Sequence, residues 1–219
     1  NQFFASGNGA YPCPANLYLA EGDANFGMSG DCSILANIFE CTDPNWKLNG
    51  GICKTDTTTE AIIIGALPFA TLRMPQEFGI DYWGNKLIYA VTHKQTNNAT
   101  YVNFAGEINV LSSDDPLQVS LGTEDGTPDL LPDKYDIFIF STGLNALGGY
   151  SKEGNETLAC GGPLDGFDHE NCDFDNLFFI DKDPNNSNAA TRSDVTGATY
   201  FDDWTLVQDR PPVATWFQH

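Results

Sequence analysis

Gly65-Ala-Leu-Pro-Phe-Ala-Thr-Leu-Arg-Met-Pro75, followed shortly by Asp81-Tyr-Trp-Gly-Asn-Lys-Leu-Ile-Tyr-Ala-Val91, decides how this chain is read. The first stretch is the end of an apolar strand running into a proline-punctuated corner. The second is a tight turn and a new strand. Gly84-Asn85 supplies the backbone freedom a reversal needs. Leu87, Tyr89 and Val91 then alternate with Lys86, Ile88 and Ala90 at the strand period. Trp83 reads as a large core anchor, whose replacement by Ala would then cost about 3–5 kcal/mol. Nothing in either stretch is a nucleophile, a metal cluster or a phosphate loop.

Working outward, Ala61 to Leu67 is a continuous apolar run and predicts a buried strand, and Leu87 to Thr92 predicts the next. Tyr101 to Leu111 reads as a strand bent at Gly106. Leu117 to Leu121 is a short strand candidate. Tyr135 to Ser141 is the strongest late strand, with Asn176 to Ile180 and Tyr200 to Val207 after it. A short helix is expected near Ser33 to Phe39. Asn1 to Gly7 reads as the last turns of a helix ending at glycine. No repeat or linker divides the chain, so 1–219 is read as one domain. Residues 1–60 form a cysteine-rich loop region and 61–219 the sheet and its loops.

Thirty acidic residues against ten Lys and Arg give a formal charge of −20. That excludes a basic nucleic-acid footprint and disfavours anionic membrane surfaces. Six cysteines, Cys13, Cys32, Cys41, Cys53, Cys160 and Cys172, show no C-x2-C zinc spacing. They allow far more pairings than spacing can decide between. Pairing in sequence order is the economical expectation, each bridge closing a short loop; free buried thiols are the alternative. Disulfides imply an oxidising compartment.

The order of the motifs carries a family resemblance. Asp81-x-Trp83-Gly84-Asn85-x-Leu87-x-Tyr89 resembles a segment of bacterial type IV pilin-like proteins, especially the type II secretion pseudopilins and related prepilin-type proteins. Ala10-Tyr-Pro-Cys-Pro-Ala15 resembles the element that follows the N-terminal helix in one branch of them. Gly65-Ala-Leu-Pro-Phe-Ala-Thr-Leu72 resembles the element before the turn, and Tyr200-Phe-Asp-Asp-Trp204 the closing element of some members. The resemblance covers roughly residues 1–92 and then only that closing element.

It implies an α+β fold, in which a helix remnant packs on an antiparallel β-sheet with long disulfide-stapled loops, Phe3 and Phe4 packing from helix to sheet. The alternative is a β-sandwich whose second sheet covers the first. It also implies a non-enzymatic filament subunit, whose partners are other pilin or pseudopilin subunits met through an N-terminal apolar helix. The chain has no apolar run near the about 20 residues a span requires. The expectation is therefore a soluble domain whose membrane helix lies upstream, placed in the periplasm or at the cell surface and touching the membrane only through that helix. A secreted protein relieved of its signal peptide is the alternative. In the subunit reading, Asp81, Trp83, Gly84, Asn85 and Tyr89 lock the central hairpin.

Asp181, Asp183 and Asn185 stand at alternate positions, as in the opening of a calcium loop. It is not an EF-hand: the sixth position lacks glycine, and Arg192 stands where the bidentate glutamate belongs. A second oxygen-rich stretch includes Asp173 and Asp175, to which Asp202 and Asp203 would add. Calcium is the one cofactor these loops suggest, solvated Asx-turns being the plain alternative. Ser141, His93 and Asp136 assemble a triad only on paper, without a Gly-x-Ser-x-Gly context. Abundant aromatics would suit sugar stacking, so a calcium-dependent glycan- or surface-binding module is the competing function. Asn98-Ala-Thr100 and Asn155-Glu-Thr157 match the glycosylation sequon and point to surface loops.

Overall fold

The computed structural model describes residues 10–48, 50–56, 58, 60–101, 106–111, 133–160, 171–172, 174, 178–180 and 204–208. Its centre is built from three apolar runs. Strands β2 (Ile62–Ala66), β3 (Ile88–Thr92) and β6 (Ile137–Ser141) lie side by side and antiparallel, and every residue in them is buried. Cys53–Lys54 (β1) pairs with β2 at one edge and Trp204–Gln208 (β8) with β6 at the other. The result is a five-stranded antiparallel sheet in the order β1-β2-β3-β6-β8.

The register sorts side chains into two layers, because alternate residues point to opposite faces. Ile63 lies opposite Val91, and Tyr89 opposite Ile139. One face therefore carries Ile62, Ile64, Ile88, Ala90, Phe138 and Phe140, and the other Ile63, Tyr89, Val91, Ile137 and Ile139. Runs without a polar alternation are what strands covered on both faces require.

A second sheet covers the first face. It has three strands, β4 (Ile108–Leu111), β5 (Asp133–Tyr135) and β7 (Phe178–Ile180), with β4 in the middle, antiparallel to β5 and parallel to β7. Phe179 stacks on Phe138, with ring centroids 4.8 Å apart, and Ile108 joins the same cluster. The chain passes from β5 to β6 through the buried Asp136. Tyr18, Trp46 and Tyr150 extend that core through edge-to-face contacts. The second face is covered by Tyr11, Cys32, Ile38 and Leu72, among others.

The expected antiparallel sheet is present, but it does not stand alone. A second sheet packs on it, as in the sandwich alternative, and β4 and β7 supply apolar cover for Phe138 and Phe140. The expected N-terminal helix, with Phe3 and Phe4, lies outside the described residues, as does Leu117 to Leu121. The helix near Ser33 is only a 3-10 turn at Leu35–Asn37, resembling those at Pro44–Leu48, Gln76–Phe78 and His93–Thr96. The expected strand from Tyr101 is seen only from Ile108. The sheet begins at β1, inside the region read as loops.

All three bridges pair in sequence order: Cys13–Cys32, Cys41–Cys53 and Cys160–Cys172. Sequence separations of 19, 12 and 12 residues make each a short-loop staple, restricting the unfolded chain by about 2–3 kcal/mol. Cys41–Cys53 ties edge strand β1 to the preceding loop, where the Cys41 N–H donates to the Lys54 carbonyl. Three disulfides fit an oxidising extracellular or periplasmic environment. Among the described residues no helix is long and apolar enough to cross a membrane.

Replacing Phe138 by Ala removes the ring that joins the two sheets, and denaturant unfolding should show a loss of about 3–5 kcal/mol. Trp83→Ala, read against the same baseline, should cost less than about 1 kcal/mol, for the reason given next.

Candidate functional site

The motif residues converge on one end of the central sheet. Ala15 and Ala66 exchange both backbone hydrogen bonds at 2.8 Å, which sews Ala10-Tyr-Pro-Cys-Pro-Ala15 onto the end of β2. The seam explains Gly65. A Cβ there would lie 2.6 Å from the Ala15 carbonyl oxygen and 2.7 Å from the Pro14 Cβ, so a side chain would push the two segments apart. Two buried tyrosines fix the same segment. The Tyr89 hydroxyl donates to the Pro12 carbonyl at 3.1 Å, and the Tyr11 hydroxyl donates to the Asp136 carboxylate at 3.2 Å. Asp136 also accepts the Gln95 side-chain amide at 3.0 Å. Burial pushes the Tyr11 and Tyr89 hydroxyls far above their ordinary pKa, with the Asp136 charge adding to the effect.

The turn is organised by Asp81. One carboxylate oxygen accepts the backbone N–H of Trp83 at 2.9 Å and of Asn85 at 2.8 Å, and the other accepts the Ser141 hydroxyl at 2.7 Å from the end of β6. An aspartate closing its own turn this way is an Asx-turn. Gly84 sits at φ +88°, a conformation glycine adopts without strain. Asn85 is buried and accepts the Thr157 hydroxyl at 3.1 Å.

Trp83 corrects the sequence reading. It is 38% exposed, and Tyr82 beside it is 94% exposed. Their rings meet edge to face at 5.8 Å. Once Asp81 turns inward to collect backbone donors, the two aromatic residues at the tip face outward. The bonds that fasten the turn come from Asp81 and Asn85, while Tyr89 ties down the neighbouring Pro12 segment and Trp83 faces outward.

Lys86 is the residue that sequence reasoning missed. At the entry to β3 it reads as a solvent-facing lysine, yet it is 2% exposed. Its ammonium donates to the carbonyls of Leu17 and Leu19 and lies 5.3 Å from the Phe26 ring centroid. It thus clamps the 17–19 loop to the hairpin. Burial lowers its pKa to about 8, against the pull of the Asp23 and Glu153 charges. No signal in the sequence marks it; only its place between the loop and the sheet does.

The remaining candidates separate. Ser141 donates to Asp81, His93 Nε2 lies 3.0 Å from the Cys32 carbonyl oxygen, and Asp136 holds Tyr11 and Gln95, so the paper triad does not form. The proposed calcium ligands Asp173, Asp175, Asp181, Asp183 and Asn185 lie outside the described residues, as do Asp202 and Asp203. Among the described residues no group of three or more His, Cys, Asp or Glu comes together as a metal site. Asn98 and Asn155 are both exposed, as the sequons suggested.

No relative emerges. No protein-family model matches the chain, and comparisons with curated proteins and with solved structures return no match either.

Two outcomes test this geometry. Asp81→Ala strands two backbone N–H groups and one hydroxyl, and should lower stability by about 2–4 kcal/mol, with Asp81→Asn losing less. Lys86 gives a pH signature. Its folded pKa of about 8 is below its ordinary 10.5, so between these values the unfolded chain holds a proton that the folded chain has released. Stability contributed by Lys86 therefore rises with pH across that window and is lost as pH falls through about 8. The raised tyrosines act in the opposite sense above pH 10, the unfolded tyrosine value. Urea melts between pH 8 and about 9.5 should show a rising slope for the native chain and a flatter one for Lys86→Met.

Proposed function

We propose that this chain is a non-enzymatic structural domain that acts by assembly, as the globular head of a type IV pilin- or type II secretion pseudopilin-like filament subunit. One observation supports the reading most. Three of the four sequence elements that carry the resemblance, around Ala10–Ala15, Gly65–Leu72 and Asp81–Tyr89, form one continuous unit whose polar groups largely hold backbone in place. Ala15 pairs with Ala66, Tyr89 holds Pro12, and Asp81 closes its turn and ties it to Ser141. Residues used in this way make a rigid part, and a rigid head suits a repeated contact between neighbours because little conformational freedom is lost on docking.

The disulfides agree with work outside the reducing cytoplasm. In such a subunit the apolar spine would anchor the protein in the inner membrane before assembly and stack in the filament core afterwards. It would lie elsewhere than on the Phe138–Phe140 face, which the second sheet occupies.

The test is made on the full protein in its own cells. Surface filaments are sheared off and cross-linked, and the fraction is probed with antibody to this domain. Recovery of the chain in the filament fraction, cross-linked to its own or other subunits, is the expected result. Recovery solely as free monomer in the periplasm or the medium overturns the reading.

A further inference from the structure

The outward-facing tip of the Asp81 turn stands beside an open groove of about 610 Å³, lined by Glu21, Gln76, Glu77, Asp81, Tyr82 and Lys152 together with Ile80. Tyr82 is 94% exposed and meets the 38% exposed Trp83 edge to face, so the fastened turn presents an aromatic pair to solvent beside the groove. The turn is not free to swing. Asp81 is bound to the Trp83 and Asn85 N–H groups and to Ser141, and Asn85 to Thr157. Tyr82 and Trp83 are thus presented on a rigid mount.

The polar wall of the groove selects among ligands. Its charges are already largely engaged. Glu21 pairs with Lys152 at 3.0 Å and accepts the Gln76 amide at 2.8 Å, which holds its carboxyl below the usual carboxylate range. Asp81 serves its own turn. Among the described residues Glu77 has no ion-pair partner. Three carboxylates against one ammonium repel an anion. The paired ones also offer a cation less attraction than their number suggests. What the wall still supplies is free lone pairs and N–H groups held at fixed positions beside a ring. A polyhydroxylated ligand uses such a site well. The weakly positive C–H face of a pyranose lies against the negative face of an aromatic ring. Its hydroxyls meanwhile bond to carboxylate and amide groups, and bonds to charged partners are the stronger kind.

We propose that this groove is a binding site for a neutral pyranose oligosaccharide, with Tyr82 as the stacking platform and Glu21, Gln76 and Glu77 as the hydroxyl-bonding wall. The site needs no calcium. It goes beyond the assembly role and does not depend on it, since a head that never enters a filament would still bind.

The experiment uses the chain as it stands. Cellohexaose and chitohexaose are titrated by calorimetry in the presence of chelator, with trigalacturonate as the anionic probe and pentalysine as the cationic one. Saturable binding of at least one neutral hexasaccharide is expected, weakened about tenfold or more in Tyr82→Ala. That variant should melt as the native chain does, because the ring it removes is exposed. Gln76→Ala should weaken the same sugar without creating affinity for the charged probes. Failure of both neutral sugars to bind overturns the proposal, as does undiminished binding by Tyr82→Ala. Binding of pentalysine or trigalacturonate in place of the sugars overturns it too, the former marking a peptide-docking surface instead.

Discussion

A strand buried on both faces has nowhere to leave a polar side chain unless that side chain finds a partner inside. This constraint governs the structure. β2, β3 and β6 have no solvent face, so the apolar residues of the two layers supply cohesion, and each polar residue at their ends must be satisfied locally. Thr92, at the end of β3, accepts the Glu107 N–H, and Ser141, at the end of β6, donates to Asp81. Asp136, buried where the chain leaves one sheet for the other, takes donors from Tyr11 and Gln95. Each of these bonds also positions a loop, so satisfying the sheet's polar ends and attaching the covering segments are one process.

The same logic explains why loops rather than helices do much of the covering among the described residues. Loops carry unpaired backbone groups, and burying them is costly. Here the groups are met one at a time: the Ala15–Ala66 pair, the Pro12 carbonyl on Tyr89, and the Leu17 and Leu19 carbonyls on Lys86. Two disulfides, Cys13–Cys32 and Cys41–Cys53, reduce the entropy those loops lose on folding. The arrangement leaves many polar side chains of this end occupied with architecture, while the Tyr82–Trp83 tip and its neighbouring groove face outward.

Much of this was legible in the sequence. The runs at 61–67, 87–92 and 135–141 announced strands because continuous apolar stretches of that length have few other uses. Spacing alone could not decide the disulfide pairing, and the expectation of bridges in sequence order is the one the structure has. The turn at Asp81-Tyr-Trp-Gly-Asn85 was visible from Gly84-Asn85. Other features were not. The size of Trp83 reads as a core anchor, while the turn's need for a carboxylate facing inward puts the ring outside. Nothing in the sequence marks Lys86 as buried. Strands near 108–111 and 178–180 were legible, but their assembly into a second sheet was not, since pairing 108–111 with 133–135 and with 178–180 depends on segments far apart in the chain.

The sequence by itself determined the central strands and the reversal at Gly84 and pointed to an oxidising compartment, because these rest on side-chain type, spacing and redox chemistry that need no neighbours. Tertiary structure alone decided that two sheets pack face to face, that a lysine is buried as a clamp, and that two aromatic rings stand in solvent beside a polar groove. Those outcomes depend on which distant segments meet, and burial is a property of the meeting rather than of the residue.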